Sequence, residues 1–308
     1  HSKKRADKDV LSYADAVKNK FPVNWDNYKA TTPKFLGVKV FEDLDLAEIV
    51  PYIDWTPFFQ TWELHGKYPA ILTDEVVGEE ATKLYADALQ MLDKIVAEKW
   101  LTAKAVIGLW KANAIDDDIE IYNNEGEVIG NFHMMRQQQK KAEGAYNMSL
   151  ADFIAPKNLG ITDYMGGFAV TAGLGIEPYI EQFEKDHDDY NSILLKALAD
   201  RFAEAATEYM HYKVRTDFWG YASDENLSNE DLIKEKYKGI RPAPGYPACP
   251  DHTEKPELFR LLNATENIGI SLTDSLAMYP ASSVSGWYFG NPQSKYFGVG
   301  RIEKDQVE

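Results

Sequence analysis

The sequence predicts a mixed α and β chain, and three observations carry that reading. Residues 78–99 and 188–215 repeat apolar side chains at helical spacing. Residues 118–122 and 128–133 alternate on either side of Asn124-Glu125-Gly126, a hairpin signal. No internal repeat, low-complexity tract or long linker divides the 308 residues, and 44% hydrophobic content can fill one large core or two small ones.

In chain order, residues 1 to about 33 are polar and carry one short helix; residues 1–20 read as a lead-in, and His1-Ser2-Lys3-Lys4 as a tag remnant or excised fragment. Residues 36–41 alternate as a strand with Leu36, Val38 and Val40 on one face. Residues 44–52 are short and apolar and lead into Asp54-Trp55-Thr56-Pro57-Phe58-Phe59. The helix over 78–99 sets Leu84, Ala88, Leu92, Ile95 and Val96 on one face. Residues 106–110 and 167–171 read as strands, and Ile129, Asn131 and His133 share a face of the second hairpin strand. The helix over 188–215 has a stripe of Tyr190, Leu194, Ala197, Leu198, Ala205 and Tyr209. Arg201 falls inside it and Glu204 at its edge, either as a structural pair or as functional charges. Asp200 and Glu204 lie one turn apart, so both carboxylates can reach one cavity. Residues 229–236, capped by Ser228, and 256–263 read as short helices, and 272–278, 285–289 and 296–302 as strands.

Thirty-three basic against 49 acidic residues leave a net charge of −16, which argues against nucleic acid or an anionic membrane as partner. The single Cys249 rules out an internal disulfide and suggests a reducing, cytoplasmic compartment. No apolar run approaches the length of a membrane span.

The most informative stretch is Arg241-Pro-Ala-Pro-Gly-Tyr-Pro-Ala-Cys-Pro and the five residues after it, 241–255. Each proline fixes its own φ and biases the preceding residue towards extended geometry. The outcome is a stiff, non-helical ribbon bearing a guanidinium, a phenol and free carbonyls, suited to a small polar ligand with a carboxylate. Asp54, set among Trp55, Phe58 and Phe59, is costly unless a cation or several donors meet it, and a ligand ammonium would serve. Residues 285–289 and Ser294-Lys295-Tyr296-Phe297 add aromatic faces that favour a sulfonium or an adenine ring. Taken together these residues describe a pocket for a zwitterion attached to an aromatic base.

Competing chemistries find less support. The six histidines show no metal-binding spacing, Asp116-Asp117-Asp118 reads as a solvated turn, and His187-Asp188-Asp189 as a helix start. Gly173-Leu174-Gly175 lacks a third glycine, and no Walker sequence occurs. Nothing selects the carboxylate pair a glycosidase would need.

The segments 52–59, 117–122, 187–190, Trp219-Gly220-Tyr221, Glu225-Asn226-Leu227, 239–247 and 285–289 resemble the C-terminal activation domain of cobalamin-dependent methionine synthase. The resemblance runs from about residue 20 to the end, so residues 21–308 are identified with that domain. It implies a single α+β domain with a curved, mainly antiparallel sheet flanked by helices. It further implies that the domain binds S-adenosylmethionine and sits over cobalamin held by a neighbouring cobalamin-binding domain. An electron from flavodoxin or a similar reductase then allows inactive cob(II)alamin to be remethylated. By the same resemblance Arg241 clamps the methionine carboxylate and Asp54 meets the amino group. Ala243, Gly245 and Tyr246 face the adenosine, and Glu204 and Tyr296 match binding positions. Phe297 stands where the family can carry a second tyrosine, leaving stacking only, and Asp200 contacts the displaced cobalamin-ligand histidine of the next domain. No catalytic residue is implied, because reduced cobalamin is itself the nucleophile. The chain has no Asp-x-His-x-x-Gly and no zinc-thiolate cluster, so alone it is not expected to make methionine. The alternative is an interaction module that clamps the cobalamin domain and flavodoxin with a vestigial pocket.

Overall fold

The computed structural model describes residues 9–307; the reading of residues 1–4 as a tag remnant falls outside them. In chain order the elements are α1 (Tyr13–Lys18), β1 (Gly37–Phe41), α2 (Leu46–Ile49), α3 (Thr56–Thr61), α4 (Gly78–Glu98), β2 (Thr102–Ile115), β3 (Asp118–Tyr122), β4 (Val128–His133) and β5 (Asp163–Leu174). There follow α5 (Glu177–Lys185), α6 (Asp189–Lys213), α7 (Asn229–Ile233), α8 (Lys255–Leu262), α9 (Ala264–Ile268), β6 (Ser271–Leu272), β7 (Met278–Tyr279), β8 (Ser283–Tyr288) and α10 (Lys304–Val307).

Strand β2 organises the sheet. Ala105, Ile107 and Leu109 join one hydrophobic cluster, and Val106, Trp110 and Ala112 the other, as alternation across a strand requires. One edge of β2 pairs along β5, with Gly108 opposite Gly167, and β5 pairs on with β8. The other edge is shared: β1 pairs with residues 105–109 and β3 with residues 111–115. The order β4-β3-β2-β5-β8, with β1 beside β2, is antiparallel at each pairing. Helices α4 and α6 cover the first face; α8 and α9 cover the second. Burial of both faces explains why β2 and β5 are long, 14 and 12 residues, where only 106–110 and 167–171 were expected. Strands covered on both sides lose the polar alternation that marks their ends.

Helices match the expected positions closely. α4 ends one residue short of expectation, and Ser228 caps α7 by accepting from the Asp231 amide. α6 runs straight into a π-helical turn, Val214–Phe218, and Thr216 Oγ1 donates back to the Tyr212 carbonyl. Three expectations are corrected. Residues 272–278 are not one strand but the turn of the short β6–β7 hairpin, where Thr273 binds Ala277 through backbone and hydroxyl. Residues 296–302 are irregular, because Val299 donates to Pro247 and the Gly298 carbonyl accepts from the Gln137 side chain instead of a ladder. The ribbon is non-helical only to Pro250; His252–Glu254 forms a 3₁₀ turn leading into α8. On the face that carries Leu36 and Val40, Val38 is 43% exposed.

The acidic run at 116–118 does make a turn with Asp116 exposed, but it is solvated only in part. Asp117 is buried against Arg136, with Arg136 Nη2 at 2.5 Å from Asp117 Oδ1, while Asp118 binds His133. Arg201 and Glu204 form no ion pair within 4.0 Å. Among the described residues no helix is long and apolar enough to cross a membrane.

Candidate functional site

Helix α6 and the π turn that continues it carry one polar seam, Glu204, Glu208, His211 and Arg215, at intervals of four, three and four. Such spacing keeps all four on one face. Glu208, His211 and Arg215 are buried, so each needs a partner. Arg215 has Glu225, with Nε to Oε1 at 2.7 Å and Nη2 to Oε2 at 3.0 Å. Glu208 has Arg241: Nη1 donates to Oε1 at 3.2 Å and Nη2 to Oε2 at 2.7 Å. Arg241 Nη1 also donates to His211 Nδ1 at 2.9 Å. The imidazole therefore accepts at Nδ1. Burial, then the cations Arg215 and Arg241, push its pKa well below the usual histidine value, so it is neutral.

A guanidinium carries five N–H groups in a planar fork. Glu208 and His211 occupy the end formed by the two terminal nitrogens. The Arg241 Nε–H and the second Nη2–H have no protein partner among the described residues. That side edge is the second bidentate face for a carboxylate. Arg241 and Arg215 both lie over the Tyr237 ring, at 5.5 and 4.5 Å from its centroid.

The ribbon around Arg241 is tied down on three sides. Ile240 exchanges both backbone bonds with Phe289, and Trp287 donates to the Pro242 carbonyl at 2.8 Å. Gly245 donates to Cys249 at 2.7 Å, and its φ of +90° suits glycine; a Cβ there would also strike the His252 ring at 2.2 Å. Tyr296 reaches in from the tail: its hydroxyl accepts from the Arg241 amide at 3.0 Å and shares a hydrogen with Tyr237 at 2.5 Å.

These groups enclose a cavity of about 500 Å³. Five of the expected residues that contribute to its wall are Glu204, Arg241, Ala243, Tyr246 and Tyr296, and Phe297 is the sixth. Gly245 forms the turn between Ala243 and Tyr246. Two expected residues are elsewhere. The Asp54 carboxylate closes a turn at the start of α3, accepting from the Thr56 amide at 3.2 Å, and does not line the cavity. Asp200 accepts from the Ser282 hydroxyl at 2.7 Å in a separate recess of about 460 Å³, so it and Glu204 do not share one cavity. A larger hollow of about 750 Å³ lies beside residues 20–25; of its four charged lining residues, Asp152 and Lys157 are taken by Arg136 and Glu120, and Lys20 and Asp116 are the other two.

Sequence reasoning missed Glu208, His211, Glu235 and Tyr237. The first two were legible as polar residues at helical spacing with Glu204. Glu235 was not: Lys234-Glu235-Lys236 reads as a solvated run, yet a φ of +58° after α7 turns Glu235 into the cavity. Both side chains remain exposed to solvent, and partial desolvation beside the cavity wall raises their carboxyl pKa values. The cavity thus holds one cationic fork, two carboxyls of raised proton affinity, phenols and apolar walls, and no activated nucleophile.

An α+β domain with that pocket is a binding module for a small ligand with both a carboxylate and a cationic centre. The chain belongs to the family described as vitamin B12 dependent methionine synthase, activation domain, which matches residues 45–308. It is therefore part of an enzyme. A solved structure described as the MetH reactivation domain bound to AdoHcy is similar at 53% identity and a TM-score of 0.94. The match covers 97% of this chain and 92% of that one.

Proposed function

We propose that residues 21–308 bind S-adenosylmethionine and present its methyl group to cobalamin held by a neighbouring domain, as the reactivation module of a 5-methyltetrahydrofolate–homocysteine S-methyltransferase. The observation that carries this reading is the free side edge of Arg241, fixed in a cavity with two carboxyls. It supports a clamp on the ligand carboxylate, with Glu204 and Glu235 facing the amino or sulfonium cation. Ala243, Gly245 and Tyr246 would receive the adenosine, with Tyr296 and the Phe297 ring closing over it. The similar MetH domain binds AdoHcy, a ligand with the same carboxylate, amino group and adenosine.

Bound S-adenosylmethionine supplies the activated methyl; this chain's residues bind and orient it. Orientation alone is worth roughly 7–11 kcal/mol in well-aligned cases, which suits a site rich in fixed donors and without a catalytic base. Asp200 is proposed as the contact to the displaced histidine of the cobalamin domain, and flavodoxin or a similar reductase as the electron source. The free, buried Cys249 suits a reducing cytoplasm. The isolated chain is not expected to make methionine.

Calorimetric titration of the chain with S-adenosylmethionine tests the reading. Arg241→Ala should weaken binding by about 2–3 kcal/mol, because it leaves a ligand carboxylate without its charged donors. Unchanged affinity would take Arg241 out of the site, and no binding even at millimolar ligand would favour a docking module with a vestigial pocket. Asp54→Asn should also weaken binding if Asp54 meets the ligand's amino group; no change would leave it closing the turn before Thr56.

A further inference from the structure

The proposed clamp depends on how the Arg241 fork is rotated. A guanidinium on a flexible stem can present either its end or its side to a carboxylate. Here Glu208 takes both terminal nitrogens, at 3.2 and 2.7 Å. Glu208 alone could equally grip the side edge, since both edges are bidentate. What distinguishes them is His211, whose Nδ1 accepts the second Nη1 hydrogen at 2.9 Å. This bond can form only when the end of the fork points at α6.

His211 is itself held fast. It is 0% exposed. Its ring stacks on Tyr288 at 5.4 Å and meets Tyr237 edge-on at 4.7 Å. The charged groups near it are Glu208 from its own helix, Arg215 from the π turn that follows and Arg241 from the ribbon. Because a guanidinium can only donate, His211 Nδ1 is the acceptor of its bond to Arg241; its Nε2 has no partner among the described residues.

We propose that His211 is a positioning residue for ligand binding: its Nδ1 locks Arg241 with the end of the fork on Glu208, leaving Nε and Nη2 free for the ligand carboxylate. This rests on the ligand assignment above and goes beyond it, because His211 does not line the cavity and touches the ligand only through Arg241. It makes a prediction that a merely structural histidine does not. The effect of removing the acceptor must be specific to ligands that carry the carboxylate.

The test uses two probes on the 308-residue chain: S-adenosylhomocysteine, which has the carboxylate, and 5′-methylthioadenosine, which keeps the adenosine and sulfur but lacks it. His211→Leu should weaken S-adenosylhomocysteine by about tenfold, one hydrogen bond to a charged group, while leaving methylthioadenosine within about twofold. His211→Asn, whose side-chain oxygen falls near the Nδ1 position, should restore S-adenosylhomocysteine; His211→Gln, which places its oxygen nearer Nε2, should not. Equal weakening of both probes would assign His211 a packing role and overturn the proposal, as would unchanged binding in the leucine variant. If His211→Leu does not fold, the Asn and Gln pair decides: equal affinities for S-adenosylhomocysteine sink the idea. Failure of the unmutated chain to bind either probe would instead remove the ligand assignment itself.

Discussion

At the scale of the residue, charge placement makes the pocket pH-sensitive. Partial desolvation raises the solvent-exposed Glu204 and Glu235 carboxyls, and nearby arginines, Arg201 and Arg241 at Glu204 and Arg241 at Glu235, offset this only in part. A carboxyl must be ionised to meet a ligand cation, so affinity should be full at high pH and fall as pH drops through the raised values. That fall should begin above the ordinary glutamate value of about 4.3. Titrations of S-adenosylmethionine from pH 8 downward should show the loss. The Glu204→Gln, Glu235→Gln double variant should bind more weakly at pH 8 and lose the slope; a slope kept in the double variant would place the cation elsewhere. A second sign runs the opposite way for stability. Burial lifts Asp163 to about 6 despite amide donors at Ala155 and Tyr164 and the Tyr28 hydroxyl. With a folded value above the unfolded one, its contribution is present near pH 4 and is lost as pH rises through about 6. Carboxyl NMR should find its midpoint near 6. Residues of this kind divide by legibility. Arg241, Ala243 and Tyr246 could be read from the sequence because prolines mark their ribbon as special. Asp54 was legible only in part: its aromatic neighbours are core, with Phe58 and Phe59 fully buried, and its carboxylate already accepts from the Thr56 amide, so its role towards the ligand is what Asp54→Asn tests.

At the scale of the element, the site depends on how closely the ribbon lies against β8. Trp287 donates to the Pro242 carbonyl, and at Gly286 an added Cβ would sit 2.5 Å from that same oxygen and 2.9 Å from the Phe168 ring. Backbone cannot rotate away as a flexible side chain can. Gly286→Ala should therefore cost about 1–3 kcal/mol of stability by overpacking, measured by denaturant unfolding, and should weaken ligand binding because Arg241 precedes Pro242. A variant that unfolds earlier yet binds normally would mean that the ribbon shifts as a unit. The elements themselves were legible where periodicity survives. α4 shows one buried face and the β3–β4 hairpin announces its turn, whereas α6 is buried on most sides, and Tyr190 of its expected stripe is 40% exposed. β2 and β5 were underestimated because two covered faces erase alternation, and β6–β7 was merged because its five-residue turn carries Leu276 and Ala277. The tail at 296–302 has strand-like composition, but its backbone partners lie in the ribbon and in Gln137, and no local signal encodes such partners.

At the scale of the whole molecule, one arginine ties the pocket to distant parts of the chain. Arg136 is 1% exposed and uses all five N–H groups, on Asp117, Asp152 and the Asn147 carbonyl. Around it gather segments far apart in sequence. Tyr13 donates its hydroxyl to Asp117, Leu11 pairs with Gln138, and Gln306 exchanges bonds with the Arg136 backbone. Gln137 then holds the Gly298 carbonyl, next to Phe297 in the pocket wall. Arg136→Met keeps the apolar stem but leaves two buried carboxylates without their cation, so it should destabilise the fold by about 3–5 kcal/mol. Protection against hydrogen exchange should fall together at Leu11, Glu303 and Gln306, because the Leu11 and Glu303 amides donate to Gln138 and the Gln306 amide to Glu303. S-adenosylmethionine binding should weaken with it, since Tyr296 is positioned by the segment that Gln137 anchors. Adding Asp117→Asn to Arg136→Met removes one of the orphaned charges and should recover part of the stability without restoring the Gln137 anchor. Full recovery of both stability and binding would show that charge alone, and not the tethering of the tail, carried the effect.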